Sequence, residues 1–208
     1  MEIKGTEIRN VQYRVKADSE KRTVEGYAAL FNVVADGLWF GSETIEPGAF
    51  DGVLEKSDVL ALLNHDLNRG VLARWKMKEI SLRLEVDEKG LKYSFEAPNT
   101  ALGDELLENV RRGEVDSSSF AFLVEKDTWE EVGDDVWKRT IQKFKEIKDV
   151  SPVYNAAYEE TSVYLRGKEQ TNAIIAEEKR KIAEAKEQKR KGELDAQYIE
   201  IEKRFNLN

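Results

Sequence analysis

Cysteine is absent from the sequence and histidine occurs once, as His65. Without thiols the chain has no disulfide staple, no cysteine nucleophile, no zinc finger and no iron–sulfur ligation. A single histidine excludes a multi-histidine metal site within one chain. No apolar run approaches the ~18 residues of a membrane span. The opening Met1-Glu2-Ile3-Lys4-Gly5 lacks the basic-then-apolar layout of a secretory signal. The expectation is a protein that neither spans a membrane nor carries a signal peptide, and the missing cysteines agree with a reducing cytosol. Also lacking are a Walker loop, a dinucleotide fingerprint, a His-Glu-x-x-His pair, a calcium loop and a Gly-x-Ser-x-Gly elbow.

Charge is what the sequence has in excess. Of 208 residues, 36% are charged, with a net of -8, against ~25% charged in an average soluble domain. Residues 167–208 hold ten Lys/Arg and nine Asp/Glu, whereas residues 1–166 hold 23 basic and 32 acidic side chains. An acidic body is a poor electrostatic match for nucleic acid or anionic lipid, so neither is expected as a partner. Composition shifts at Gly167 to Ala, Glu, Lys, Gln and Arg, the make-up of an exposed helix. The expected organisation is a body over 1–166 and a charged helical tail over 167–208, interrupted at Gly192. In the tail, Leu194, Tyr198, Ile201 and Phe205 recur on one helical face, a narrow stripe suited to docking on the body or on a partner.

Hydrophobic period divides the body. Ile8–Lys16 and Thr23–Phe31 read as strands, with Gly26 marking a bulge or a close approach. Val34–Gly41 reads as a loop, and Pro47-Gly48-Ala49-Phe50 as a turn into a short helix ending at Leu54. Val59–Leu63 is a compact apolar run of strand length. Leu82–Val86 and Leu91–Phe95 alternate around Glu88-Lys89-Gly90, a hairpin. Leu102, Leu106, Leu107 and Val110 follow helical spacing between Thr100 as N-cap and Gly113 as stop. Ser117–Val124 returns to strand, Trp129–Trp137 reads as a hairpin turning at Gly133-Asp134-Asp135, and Thr140–Val150 ends at Ser151-Pro152-Val153. Thr161–Leu165 is a candidate last strand. Eight or nine strands with two helices give an α+β, mainly β fold, a closed barrel or sandwich with helical insertions.

Without cysteine, covalent catalysis falls to Ser, Thr, Lys or a carboxylate, and a weak hydroxyl nucleophile needs a base. His65 is the single imidazole, in Leu63-Asn64-His65-Asp66 at the end of a strand, a rigid place from which to present a side chain. An idle surface-loop histidine is the plainer alternative. The serines of Asp116-Ser117-Ser118-Ser119-Phe120-Ala121-Phe122 read equally as an ordinary strand entry. If the two phenylalanines face the core, period-2 alternation turns Ser117, Ser119 and Ala121 to the other face. Asp149 and Asp66 are both candidates to orient the imidazole.

Glu25-Gly26-Tyr27-Ala28-Ala29-Leu30-Phe31-Asn32, Glu46-Pro47-Gly48-Ala49-Phe50 and Leu63-Asn64-His65-Asp66 resemble segments of the prohead proteases of tailed bacteriophages. The resemblance continues, in the same order, through Leu106–Val115, Ser119-Phe120-Ala121-Phe122, Asp149-Val150-Ser151-Pro152-Val153 and Ala157-Tyr158, and covers roughly residues 10–166. It implies a serine endopeptidase with the closed β-barrel of the herpesvirus assemblins. It further implies His65 as the base, Ser119 as the nucleophile and Asp149 as the third residue, with no metal or organic cofactor. Where the family usually reads Met-Ser-Phe-Gly-Phe, this chain has Ser118 and Ala121 in place of Met and Gly. Backbone N–H groups are expected to stabilise the oxyanion, with Arg74, which follows the histidine loop, as a guessed assistant. The implied setting is the interior of a procapsid in the host cytoplasm. The implied partners are the major capsid protein and its scaffolding segment as substrate, often with self-cleavage, and the reading allows self-association. The competing expectation is a catalytically silent assembly scaffold that uses its charged tail to hold capsid protein.

Overall fold

Alternating large apolar residues give this chain its strands, and the longest alternation carries the most structure. The structure, a computed structural model, describes residues 6–11, 14–18, 20–154 and 162–205, with the side chains of the last stretch described over 172–193. It divides into two units, Met1–Gly167 and Lys168–Asn208, each taken by itself below.

The strands are β1 (Glu7–Val11), β2 (Lys16–Asp18), β3 (Thr23–Leu30), β4 (Ala35–Leu38), β5 (Gly41–Ile45), β6 (Asp58–Ala61), β7 (Ala73–Lys76), β8 (Leu82–Val86), β9 (Gly90–Glu96), β10 (Val115–Gly133) and β11 (Val136–Tyr154). The helices are α1 (Ala101–Arg112) and α2 (Ser162–Phe205). Thr100 caps α1 by accepting the Gly103 N–H at 3.3 Å, and Gly113 ends it in the left-handed region at φ 79°.

The larger sheet runs β1-β10-β11-β5-β4, and the smaller runs β2-β3-β9-β8. β10 and β11 form one antiparallel hairpin of 19 residues a side. β5 and β6 both pair parallel to β11, β5 along Trp137–Ile141 and β6 at Asp149–Val150, and β7 adds to β6. The core lies between the sheets. Phe120, Phe122 and Phe144 are fully buried there, with ring centroids 4.6 Å apart for Phe120–Phe122 and 5.1 Å for Phe122–Phe144. Truncating one such ring to alanine costs ~3–5 kcal/mol.

Several expectations are corrected. A closed barrel needs a ladder continuous around the ring. Among the described residues the strands form two sheets that meet at corners through isolated bonds, Val15 N–H to the Asp116 carbonyl and Ser81 N–H to the Arg74 carbonyl, each at 3.1 Å. The start of β11 is taken up by pairing with β5 along Trp137–Ile141, and bulges between Ala121 and Asp127 redirect the hairpin, so among the described residues no edge completes the ring. β11 does not stop at Ser151-Pro152 but continues to Tyr154, because Pro152 serves the sheet through its carbonyl, which accepts the Asn64 N–H at 3.0 Å. Val34–Gly41 contains β4 and the start of β5 rather than a loop alone. Ser162–Leu165 belongs to α2, not to a last strand, and α2 runs through Gly192; one helical glycine costs only ~1 kcal/mol among strong helix formers. Thr161, Ala157 and Tyr158 lie outside the described residues, as do the side chains of Leu194, Tyr198, Ile201 and Phe205.

A buried ionic cluster holds β1 in place. Arg9 Nε bonds Glu43 Oε1 at 2.7 Å, while Arg139 reaches Glu7 at 2.6 Å, Glu43 at 3.0 Å and Asp127 at 2.7 Å. Burial works against the charge on Glu7, but Arg139 and Arg9 more than offset it and hold its carboxyl below the ordinary value of 4.5.

Candidate active site

The β10–β11 register decides which side chains share a face. Ser119 lies opposite Ser151, and Ala121 opposite Asp149, all turned away from the phenylalanine core. β6 approaches from the other side of β11, with Leu60 beside Asp149. Its pairing continues past Ala61, as Leu62 N–H bonds the Val150 carbonyl at 3.2 Å and Asn64 N–H the Pro152 carbonyl. Two consecutive left-handed residues, Asn64 at φ 55° and His65 at φ 60°, then reverse the chain. Such conformations are uncommon outside glycine and persist where surrounding structure enforces them. The reversal lays the imidazole over the hairpin.

There His65 Nδ1 sits 2.6 Å from Asp149 Oδ1, and Nε2 sits 2.6 Å from Ser119 Oγ. Ser151 Oγ donates to Asp149 Oδ1 at 2.8 Å and lies 3.2 Å from His65 Nδ1. The Ser119 hydroxyl has a second acceptor in reach, the Arg9 carbonyl of β1 at 3.0 Å. It carries one hydrogen, and the shorter contact directs it to the imidazole. Ser119 is 0% exposed.

The neighbouring serines point elsewhere or bond locally. Ser118 Oγ meets the buried Tyr93 hydroxyl at 2.8 Å, on the core side. Gly26 makes room for that pair: a Cβ there would stand 2.6 Å from the Tyr93 oxygen and 2.8 Å from Ser118 Oγ. Ser117 bonds Asp116 at 2.7 Å. Burial raises the Tyr93 phenol above its ordinary value of 10.0, so it stays a neutral partner for Ser118.

Of the residues singled out in the sequence, His65, Ser119 and Asp149 come together, whereas Arg74 and Asp66 do not join them. Arg74 lies on β7, two ladders from Asp149, with its guanidinium engaged by Asp58 at 2.7 Å. Asp66 accepts the Asn68 N–H at 3.0 Å and caps the short turn Leu67–Arg69. Residues not anticipated from sequence complete the surroundings. Arg69 pairs with Glu105 of α1, and Asn109 donates to the Tyr154 hydroxyl at 3.0 Å, tying the histidine loop, α1 and the end of β11 together. The Arg69 guanidinium holds the Glu105 carboxyl below its ordinary value. At this exposure the pair contributes at most ~1 kcal/mol.

A histidine held between a serine hydroxyl and an aspartate is the arrangement of a serine hydrolase. The sequence pattern of the caudovirus prohead serine proteases matches residues 9–174, and the chain belongs to that family. It is a serine protease. In structure the chain is similar to the capsid assembly protease of bacteriophage T4, gp21, at 12% identity and a TM-score of 0.45, over 73% of this chain and 98% of that one. No curated relative matches.

Proposed function

We propose that the chain is a maturation protease of the phage procapsid, acting in the host cell on the scaffolding segment of the major capsid protein and on itself. The observation that carries the reading is the bridging of Ser119 and Asp149 by the single histidine, at 2.6 Å on each side. Asp149 takes the Nδ1–H, which leaves Nε2 bare and ready to accept. The Ser119 hydroxyl passes its proton to Nε2 as Oγ bonds to the peptide carbonyl carbon, and the C–O double bond becomes an oxyanion. Collapse breaks the C–N bond, and the proton on Nε2 leaves with the amine. Water then repeats the sequence against the Ser119 ester, which releases the acid and restores the hydroxyl.

Backbone N–H groups are the natural donors to the oxyanion in such a site. Arg74, bonded to Asp58 at 2.7 Å, is left without a part in that step. The body of the enzyme comprises 1–166 in this reading, and the charged tail, 167–208, serves to bring it into the particle.

The test is co-expression with the cognate capsid protein, followed by mass measurement of the fragments. Wild type should shorten the capsid protein at a discrete position, and Ser119→Ala should leave it whole. Cleavage that persists in Ser119→Ala would overturn the assignment. Intact capsid protein with the wild-type chain would point to the silent scaffold instead.

A further inference from the structure

Ser151 carries no assigned role, yet it touches both partners in the proton path. It is 0% exposed, its Oγ is 2.8 Å from Asp149 Oδ1, and the same oxygen is 3.2 Å from His65 Nδ1. We propose that Ser151 is a positioning residue that fixes the tautomer of His65, an inference that rests on the reading of Ser119, His65 and Asp149 given above.

A serine hydroxyl has one hydrogen and two lone pairs, and an ionised carboxylate only accepts. With its hydrogen given to Asp149, Ser151 can show His65 Nδ1 only a lone pair. Nδ1 therefore faces two acceptors, the Asp149 oxygen at 2.6 Å and the Ser151 oxygen. A bare Nδ1 would meet both with a lone pair of its own, which is repulsive in a largely buried site. The arrangement accepts the imidazole only with its hydrogen on Nδ1, the tautomer that leaves Nε2 free for Ser119.

The chain also constrains Ser151. Pro152 biases the residue before it to extended backbone. The β10–β11 rung places Ser151 directly opposite Ser119, so the residue that guards Nδ1 and the residue that approaches Nε2 share one step of the ladder. Asp149 alone leaves its carboxylate one fewer anchor against rotation.

The experiment compares wild type, Ser151→Ala, Ser151→Thr and Ser119→Ala on a peptide spanning the capsid cleavage position. Ser151→Ala should lower kcat roughly ten- to hundredfold, the size expected for one hydrogen bond to a charged group, with KM nearly unchanged and the variant still folded at the assay temperature despite a modestly lower thermal midpoint. Ser151→Thr, which keeps the hydroxyl, should recover much of the loss. Because His65 is the only histidine, its ring nitrogens are observable without overlap by 15N-resolved NMR. Wild type should show one tautomer with the proton on Nδ1, and Ser151→Ala a mixture or a displaced Nδ1–H resonance. If the alanine variant does not fold, Ser151→Cys, nearly isosteric and a weak donor, takes its place. An unchanged kcat and an unchanged imidazole spectrum in a folded variant overturn the proposal. So does a loss of activity that follows lost stability with the tautomer intact. Activity surviving in Ser119→Ala would instead overturn the reading beneath it.

Discussion

A shift of one residue along β10 exchanges Ser119 for Ser118, and the two lie in opposite surroundings. Ser119→Ala should abolish cleavage with the fold intact. Ser118→Ala should keep catalysis but lose stability by ~1–3 kcal/mol, since it strands the buried Tyr93 hydroxyl; activity assays beside urea titrations separate the two. His65→Ala should be as inactive as Ser119→Ala, because no second imidazole exists to act as base. Asp149→Asn should reduce kcat/KM by roughly 10³–10⁴ while leaving a measurable residue, the behaviour of an orienting group rather than a reacting one. Near-wild-type turnover there would return attention to other carboxylates. The face of Ser119 was readable from Phe120 and Phe122, since large apolar residues two apart declare the core side. Ser151 was not, because Pro152 looked like the end of a strand, and the carbonyl that keeps it in the sheet is bonded to Asn64, far away in sequence.

At the scale of elements, β1 depends on distant partners. Its Glu7 and Arg9 meet Glu43, Asp127 and Arg139 in a cluster that closes across as many as 132 residues. No local periodicity signals such a set; each member reads as one more surface charge in a highly charged sequence. Removing one partner from a buried ionic group costs ~3–5 kcal/mol, because the others are left uncompensated. The pH dependence follows from Glu7. Its carboxyl titrates below 4.5 in the folded protein, so the unfolded chain takes up the proton first as pH falls. Its contribution is complete above that ordinary value and declines as pH drops below it toward the folded pKa. Denaturant midpoints measured from about pH 7 to about pH 3 should fall steeply for wild type. They should fall less steeply for Glu7→Gln, which starts lower. Equal acid limbs for both would remove Glu7 from the account. β5 is illegible from local pattern for a related reason: Gly41–Ile45 is held parallel to β11, a pairing set by a crossover and not by a turn.

For the whole molecule, the mainly β body and the long charged helix were legible in composition and period, whereas closure was not. Whether strands close into a ring depends on ladders between residues such as Val15 and Asp116, about which alternation along one strand says nothing. Deleting residues 168–208 should leave a folded body that cleaves peptide at close to the wild-type rate but enters procapsids poorly. Purified particles should then contain little protease. Aggregation of the truncated chain would show that the tail belongs to the core.

The site draws on β1, on the loop after β6, on β10 and on the end of β11, and so gathers residues made far apart in time, from Arg9 to Ser151. Arg9 leaves the ribosome well before Ser151. At ~5–20 residues per second the two are separated by roughly 7–30 s. For that interval Ser119, His65, Asp149 and Ser151 do not coexist in folded form. Under the proposed function, a nascent chain therefore lacks a complete Ser119–His65–Asp149 set until β11 has been made and zipped into place.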